Sequence, residues 1–164
     1  MHRDFARIDR SPQQTRDHRF GQSTPLSIGV EEELLLVDGE LRLCAAAEQV
    51  LEAIDPAARE RVSTEIFATQ IELKTGICDD AAQAAAELGG LREAVRATGA
   101  ELLGAGIHPD DDERPELVDK PRYDVVREDL ASLLATPPCG LHIHVGMPDP
   151  ETAIRVANSL RYHL

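Results

Sequence analysis

No run of apolar residues in this 164-residue chain is long enough to span a bilayer, and nothing in it resembles a signal peptide, so no membrane partner is expected. Positive charge is scarce as well. The formal charge is −13, and Lys74 and Lys120 are the only lysines. Nucleic-acid recognition needs clustered Lys and Arg against phosphate, so no nucleic-acid partner is expected either. A small phosphate ligand is not excluded, because bound divalent cations invert the local electrostatics of an acidic site. Cysteine is limited to Cys44, Cys78 and Cys139, an odd number without C-x-x-C spacing. This argues against a disulfide framework and points to the reducing cytoplasm. Internal repeats and low-complexity tracts are also missing.

What remains has a globular pattern. The length suits one domain with a true core, and 42% of the residues are apolar. Residues 1–23 are polar, Arg-rich and unpatterned, with Asp4, Asp9 and Asp17 arguing against a transit peptide. They read as a flexible tail ahead of a domain over 24–164. "PLSIGVEEELLLVDG" reads as a strand closed by the Asp38-Gly39 turn signal, with "LRLC" as a short returning strand. "AAAEQVLEAI" has helical spacing, and Asp55-Pro56 opens a further helical turn. "VSTEIFATQIELKTG" is rich in β-branched residues and reads as the second major strand, ended by Gly76.

The clearest helix is expected over Ala81–Ala100, capped by Asp79 or Asp80, with Gly89-Gly90 as a kink or a close packing point. "LLGAGI" reads as a third strand leading into an acidic loop. "RYDVVREDLASLLA" reads as a helix, "CGLHIHVGM" as the fourth strand and "PETAIRVANSLRYHL" as a last helix. That helix meets the chain end without a C-cap, the expected pattern of a fragment. Strands and helices mix without regular βαβ alternation, so the expected class is α+β.

Three groups of residues carry candidate chemistry. In an extended strand, alternate side chains share a face, so Glu31 and Glu33 point together and Glu32 points away. Adjacent carboxylates repel unless a cation sits between them, and hard cations such as Mg²⁺ take carboxylate oxygens together with substrate phosphates. The alternative is a solvated acidic face that blunts an edge strand. The second strand adds Glu65 and Glu72, which a solvated polar face would explain as well as a ligand role. Seven positions apart, they would face opposite ways in one ideal strand, and reach one site only through a bulge or if Glu65 precedes the strand. Gln70, Glu72 and Lys74 share a face, opposite the apolar packing of Ile71 and Leu73.

With six histidines in the chain, two fall one residue apart in "CGLHIHVG". His142 and His144 share one face and Leu141, Ile143 and Val145 the other, so the apolar face is expected in the core and the imidazole face lining a site. A His-x-His strand suits a metal, although a polar solvent face gives the same pattern. Gly140 and Gly146 leave room for a ligand or a neighbouring backbone. His108 stands at a strand end, and Arg122 is placed to clamp a carboxylate or phosphate, or to stand exposed at a helix start.

In this order, "GVEEELLLVD", "STEIFATQIELKTGIC", "GIHP", "RY" and "CGLHIHVGMPDPETAIRVANSLR" resemble the N-terminal half of the type 2 glutamate–cysteine ligases, or carboxylate–amine ligases. The resemblance covers essentially everything from Leu26 onward. It implies a truncated glutamine-synthetase-like fold, with a largely antiparallel sheet forming a funnel-shaped site. It also implies ATP with Mg²⁺ (Mn²⁺ as a substitute) as cofactors, glutamate and cysteine or another small amine as partners, and a place in glutathione biosynthesis. ATP would phosphorylate the γ-carboxylate of glutamate, and the amine would displace the phosphate.

Matched residue by residue, Glu31, Glu33, Glu65, Glu72 and His142 would be metal ligands. His144 would meet the nucleotide, and Arg122 and Tyr123 would lie near the amino-acid substrates as catalytic residues. The family continues past the position of Leu164 with further metal-binding acids and basic ATP-binding residues. A half-funnel would leave a sheet edge that a homodimer is one way to cover. Two other readings compete. One is an inactive remnant or metal-binding interaction module. The other is a hydrolase using His142, His144 and a glutamate, with a Zn²⁺ preference and no need for ATP.

Overall fold

The computed structural model describes residues 20–109, 117–118 and 136–163. Strand β1 (Ile28–Val37) is the centre of an antiparallel sheet. On one edge it pairs with β3 (Gln70–Lys74), which in turn pairs with β2 (Val62–Thr64). On its other edge two strands follow each other end to end. Strand β4 (Glu101–Leu103) takes Leu35 to Val37, and β5 (Leu141–Val145) takes Ile28 to Glu32. The expected α+β class with an antiparallel sheet is what the chain adopts.

Helices α1 (Ala47–Ala53), the short α2 (Pro56–Arg59) and α3 (Ala81–Arg96) pack on the sheet, whereas α4 (Pro150–Leu160) follows β5 and buries none of its residues. Their starts follow the capping signals in the sequence. Asp55, Asp80 and Asp149 each accept a backbone N–H at 2.8 Å, and proline opens α2 and α4. Helix α3 buries Ala84, Leu88, Leu91 and Val95, a stripe at helical spacing, against Val30, Leu34 and Leu36 of β1 and Ile71 and Leu73 of β3.

Three local expectations need correction. The single strand expected over "VSTEIFATQIELKTG" is a hairpin, β2 and β3. Phe67 turns fully inward, and the loop is held by its neighbours: Leu36 donates to the Thr69 carbonyl (2.8 Å) and Ala47 to the Ala68 carbonyl (3.0 Å). Gly89 and Gly90 neither kink nor pack closely. Helix α3 runs through them, and a Cβ on either would meet nothing within 4 Å. The apolar face of β5 is not in the core, since Leu141, Ile143 and Val145 are all exposed. Their face of the sheet is the helix side, but α4, the helix that follows them, buries none of its residues.

The helix expected over 122–135 lies outside the described residues, as does most of the tail. Of the first 23 residues, Phe20 to Ser23 are described, and Gly21 donates to the Met147 carbonyl (3.2 Å). Among the described residues no helix is long and apolar enough to cross a membrane.

Candidate functional site

The face of the sheet away from α3 carries the chemistry. Alternation along β1 sends Glu32 to the helix side, where Arg92 of α3 donates to its two carboxylate oxygens at 2.9 and 2.5 Å. Glu31 and Glu33 go to the opposite side. The register then decides what they meet. Glu33 stands directly across from Glu72 of β3, and Glu31 is flanked by Lys74 on one side and His142 on the other. His144, two residues further along β5, comes up on the same face across from Gly29.

The hairpin explains how Glu65 joins Glu72. Ser63 of β2 pairs with Glu72, and Glu65 follows β2 on the same side as Ser63, so the chain reversal brings the two acids together. Carboxylate oxygens of Glu33, Glu65 and Glu72 all lie within 4.8 Å of one another. Glu72 is buried, and the other two are half-buried. Three acids this close in a partly dry setting raise each other's free energy unless positive charge or donors offset them.

The protein supplies several. The Ser63 hydroxyl donates to Glu72 (3.1 Å), and the Lys74 ammonium forms an ion pair with the same carboxylate. The Gly140 N–H donates to Glu33 (2.7 Å). A Cβ on Gly140 would stand a tight 3.1 Å from the His142 ring and an ordinary 3.6 Å from the Glu33 carboxylate, so the His142 ring would have to shift to admit it. At Gly146, the other end of β5, a Cβ would collide at 2.8 Å with the hydroxyls of Ser23 and Ser27, so these two glycines serve close approach.

The histidine half of the face is built around Glu31. One of its oxygens lies 3.2 Å from Nε2 of His144 and 3.6 Å from Nδ1 of His142. The hydrogen bond from His144 holds the Glu31 carboxyl below its usual value, with the His144 and Lys74 charges adding to the effect. Bonding to Glu72 raises the Lys74 ammonium above its ordinary range, supported by the charges of Glu72, Glu31 and Glu65. Cys139 borders the acids, but burial pushes its thiol up, and the Glu33 and Glu65 charges add to that despite a hydrogen bond from Gln70. A thiol so placed is kept protonated and is no ready nucleophile.

A hard divalent cation suits this donor set. Three carboxylates offer oxygen atoms only, at a mutual spacing that one small ion can bridge, and imidazoles stand beside them. Of the eight site residues expected from sequence, the structure brings Glu31, Glu33, Glu65, Glu72, His142 and His144 to one face. Arg122 and Tyr123 lie outside the described residues. His108 meets the Leu41 carbonyl through Nε2 at 2.7 Å. Gln70, which the sequence marks only as sharing a face with Glu72 and Lys74, also borders this site. Its buried amide donates to the Pro138 carbonyl (2.6 Å) and meets Cys139 Sγ (3.2 Å), tying β3 to the segment that leads into β5. A polar residue on the Glu72 side of an otherwise buried strand was its only signal.

Known proteins give the same pattern a family. The family model described as "Glutamate-cysteine ligase family 2(GCS2)" matches residues 27–164. A protein of Sorangium cellulosum named "Putative glutamate--cysteine ligase 2" is 37% identical over 148 residues, covering 84% of this chain and 39% of its own length. One from Rubrobacter xylanophilus, named "Putative glutamate--cysteine ligase 2-3", is 38% identical over 157 residues, covering 89% of this chain and 42% of its own length. A relative in Salinispora tropica is 34% identical over 142 residues. The chain thus spans about two-fifths of the length of these relatives. With the match running unbroken across β1 and its acidic and histidine-bearing neighbours, the chain belongs to the glutamate–cysteine ligase family 2.

Proposed function

We propose that this chain carries the metal-binding acidic face of an ATP-dependent carboxylate–amine ligase with a glutamine-synthetase-like sheet. The convergence of Glu33, Glu65 and Glu72 in a member of this family carries the reading. The reaction proposed joins glutamate to the amine of cysteine or another small amine. A γ-carboxylate oxygen of glutamate attacks the terminal phosphorus of ATP, and ADP leaves. The amine nitrogen then attacks the acyl carbon, the C–O bond to phosphate breaks, and the amine gives up a proton as the amide forms.

Mg²⁺ or Mn²⁺ at this face supplies neutralisation of the triphosphate and of the charge that develops on the transferred group. The residues of the chain hold and aim. Glu33, Glu65 and Glu72 provide the oxygen ligands, with Glu33 steered by the Gly140 N–H and Glu72 by the Ser63 hydroxyl. Glu31, kept ionised, holds the two imidazoles beside it; His142 would add a nitrogen ligand for the metal, and His144 would meet the nucleotide. Such preorganised charge acts without reorganising during the reaction.

The experiment is ADP release with Mg²⁺-ATP and glutamate, with cysteine or other amines as acceptor, on the chain and its Glu33→Gln variant. Acceptor-dependent release that the variant loses is the expected result. Release that ignores the acceptor, or survives in the variant, overturns a ligase centred on these acids. No release overturns catalysis by this chain.

A further inference from the structure

We infer that the Lys74 ammonium is a resident counter-cation of the acidic face, seated among its carboxylates in the metal-free protein and driven out to solvent when a divalent ion enters. The inference rests on reading Glu33, Glu65 and Glu72 as the ligands of that ion.

Placement is the first argument. Lys74 ends β3 two residues after Glu72, so strand alternation puts both on the site face, and the ladder sets Lys74 beside Glu31. Its ion pair is with Glu72, the most buried of the clustered acids, and the charges of Glu31 and Glu65 also bear on it. An ion bridging Glu33, Glu65 and Glu72 would take an oxygen of the same buried carboxylate that Lys74 now engages through Oε2, and would face the ammonium across it. Among the described residues, two other basic groups of this region have their own partners. Arg92 lies across the sheet on Glu32, and Arg61 is paired with Glu87.

Mobility is the second. The Glu72 side chain is 8% exposed and fixed by Ser63, whereas that of Lys74 is 44% exposed on a flexible four-carbon stem. Lys74 can therefore leave while Glu72 stays. A compact ammonium without the two-pronged geometry of arginine is also the easier cation to displace. The arrangement keeps three clustered acids tolerable before the ion arrives, and it makes a monovalent ion a poor competitor, since that would exchange one unit charge for another.

Lys74 and Lys120 are the only lysines, so amine labelling reads the displacement directly. The chain is treated with limiting N-hydroxysuccinimidyl acetate with and without Mn²⁺, and acetylation at each lysine is followed by peptide mass spectrometry. Mn²⁺ binding is measured by calorimetry on the wild type, Lys74→Met and Glu72→Gln. Mn²⁺ is expected to raise Lys74 labelling about threefold or more against Lys120, and Lys74→Met to bind Mn²⁺ about fivefold or more tightly. If Mn²⁺ binds and Glu72→Gln weakens it, but Lys74 labelling does not rise, the counter-cation role is overturned and the metal site stands. If no variant binds Mn²⁺, or Glu72→Gln binds it unchanged, the metal site itself falls and Lys74 with it. Labelling of the wild type needs no variant to fold.

Discussion

Glu33 and Glu72 face each other directly across the β1–β3 pair, two like charges at one rung of an antiparallel ladder, with the Glu65 carboxylate against both. Like charges in this position destabilise a sheet. Glu33→Gln relieves the rung, while the amide oxygen can still accept the Gly140 N–H. Thermal unfolding in metal-free buffer is expected to show a gain of about 0.5–1 kcal/mol. The rise in midpoint expected when Mg²⁺ or Mn²⁺ is added to the wild type should be lost. A variant less stable than the wild type without metal would show that the repulsion is already relieved.

On the other face, Glu32 depends on Arg92. Removing the guanidinium strands a mostly buried carboxylate, so Arg92→Ala should destabilise by about 1–3 kcal/mol. Glu32→Gln with Arg92→Ala should recover part of that loss in a double-mutant cycle. Divalent-ion affinity should be the same in all of them, because the pair lies behind the sheet. A weakened affinity in urea-free calorimetry would link the two faces.

Helix α3 carries two glycines that no close contact requires. Gly89→Ala and Gly90→Ala are each expected to stabilise by about 0.5–1 kcal/mol in chemical denaturation. A loss at either position would point to packing by residues outside those described.

Acid should weaken the fold through Glu31 and Glu87. Both carboxyls are held below the ordinary 4.5, Glu31 first by its bond with His144 and Glu87 first by the Gly76 N–H it accepts. Just under that value the unfolded chain binds more protons than the folded one. The stability these groups supply is complete above the unfolded value and is lost as pH falls through the folded ones. Urea midpoints taken from roughly pH 6 to roughly pH 3 should fall, and Glu87→Gln should fall less steeply. Equal slopes would assign the acid limb to other groups.

How legible each part was depended on the range of the interactions that set it. "VEEEL" gave away the split of Glu31 and Glu33 from Glu32, because period-2 alternation is local. The same rule placed His142 and His144 together. The hairpin was hidden, since "TEIFATQ" has no Gly, Pro or Asn to mark a reversal; the turn is made by buried Phe67 and by backbone bonds to β1 and α1. Of the two routes open to Glu65, a bulge or a place ahead of the strand of Glu72, the hairpin takes the second. Pairings such as Arg92 with Glu32, or Gly140 with Glu33, lie 60 and 107 residues apart and leave no local trace.

With all five of its side chains exposed, β5 has no buried stripe to select its alignment on β1. Alignment falls to its two ends. At one, Gly140 and Glu33 exchange two bonds, N–H to carboxylate and N–H to carbonyl; at the other, Gly146 donates to Ser27 and accepts from Leu26. A slip of a single residue would turn both imidazoles toward the helices and set Leu141, Ile143 and Val145 against the carboxylates. Glu33 is therefore an alignment pin as well as a candidate ligand: its carboxylate fixes which side of a reversible strand the histidines occupy.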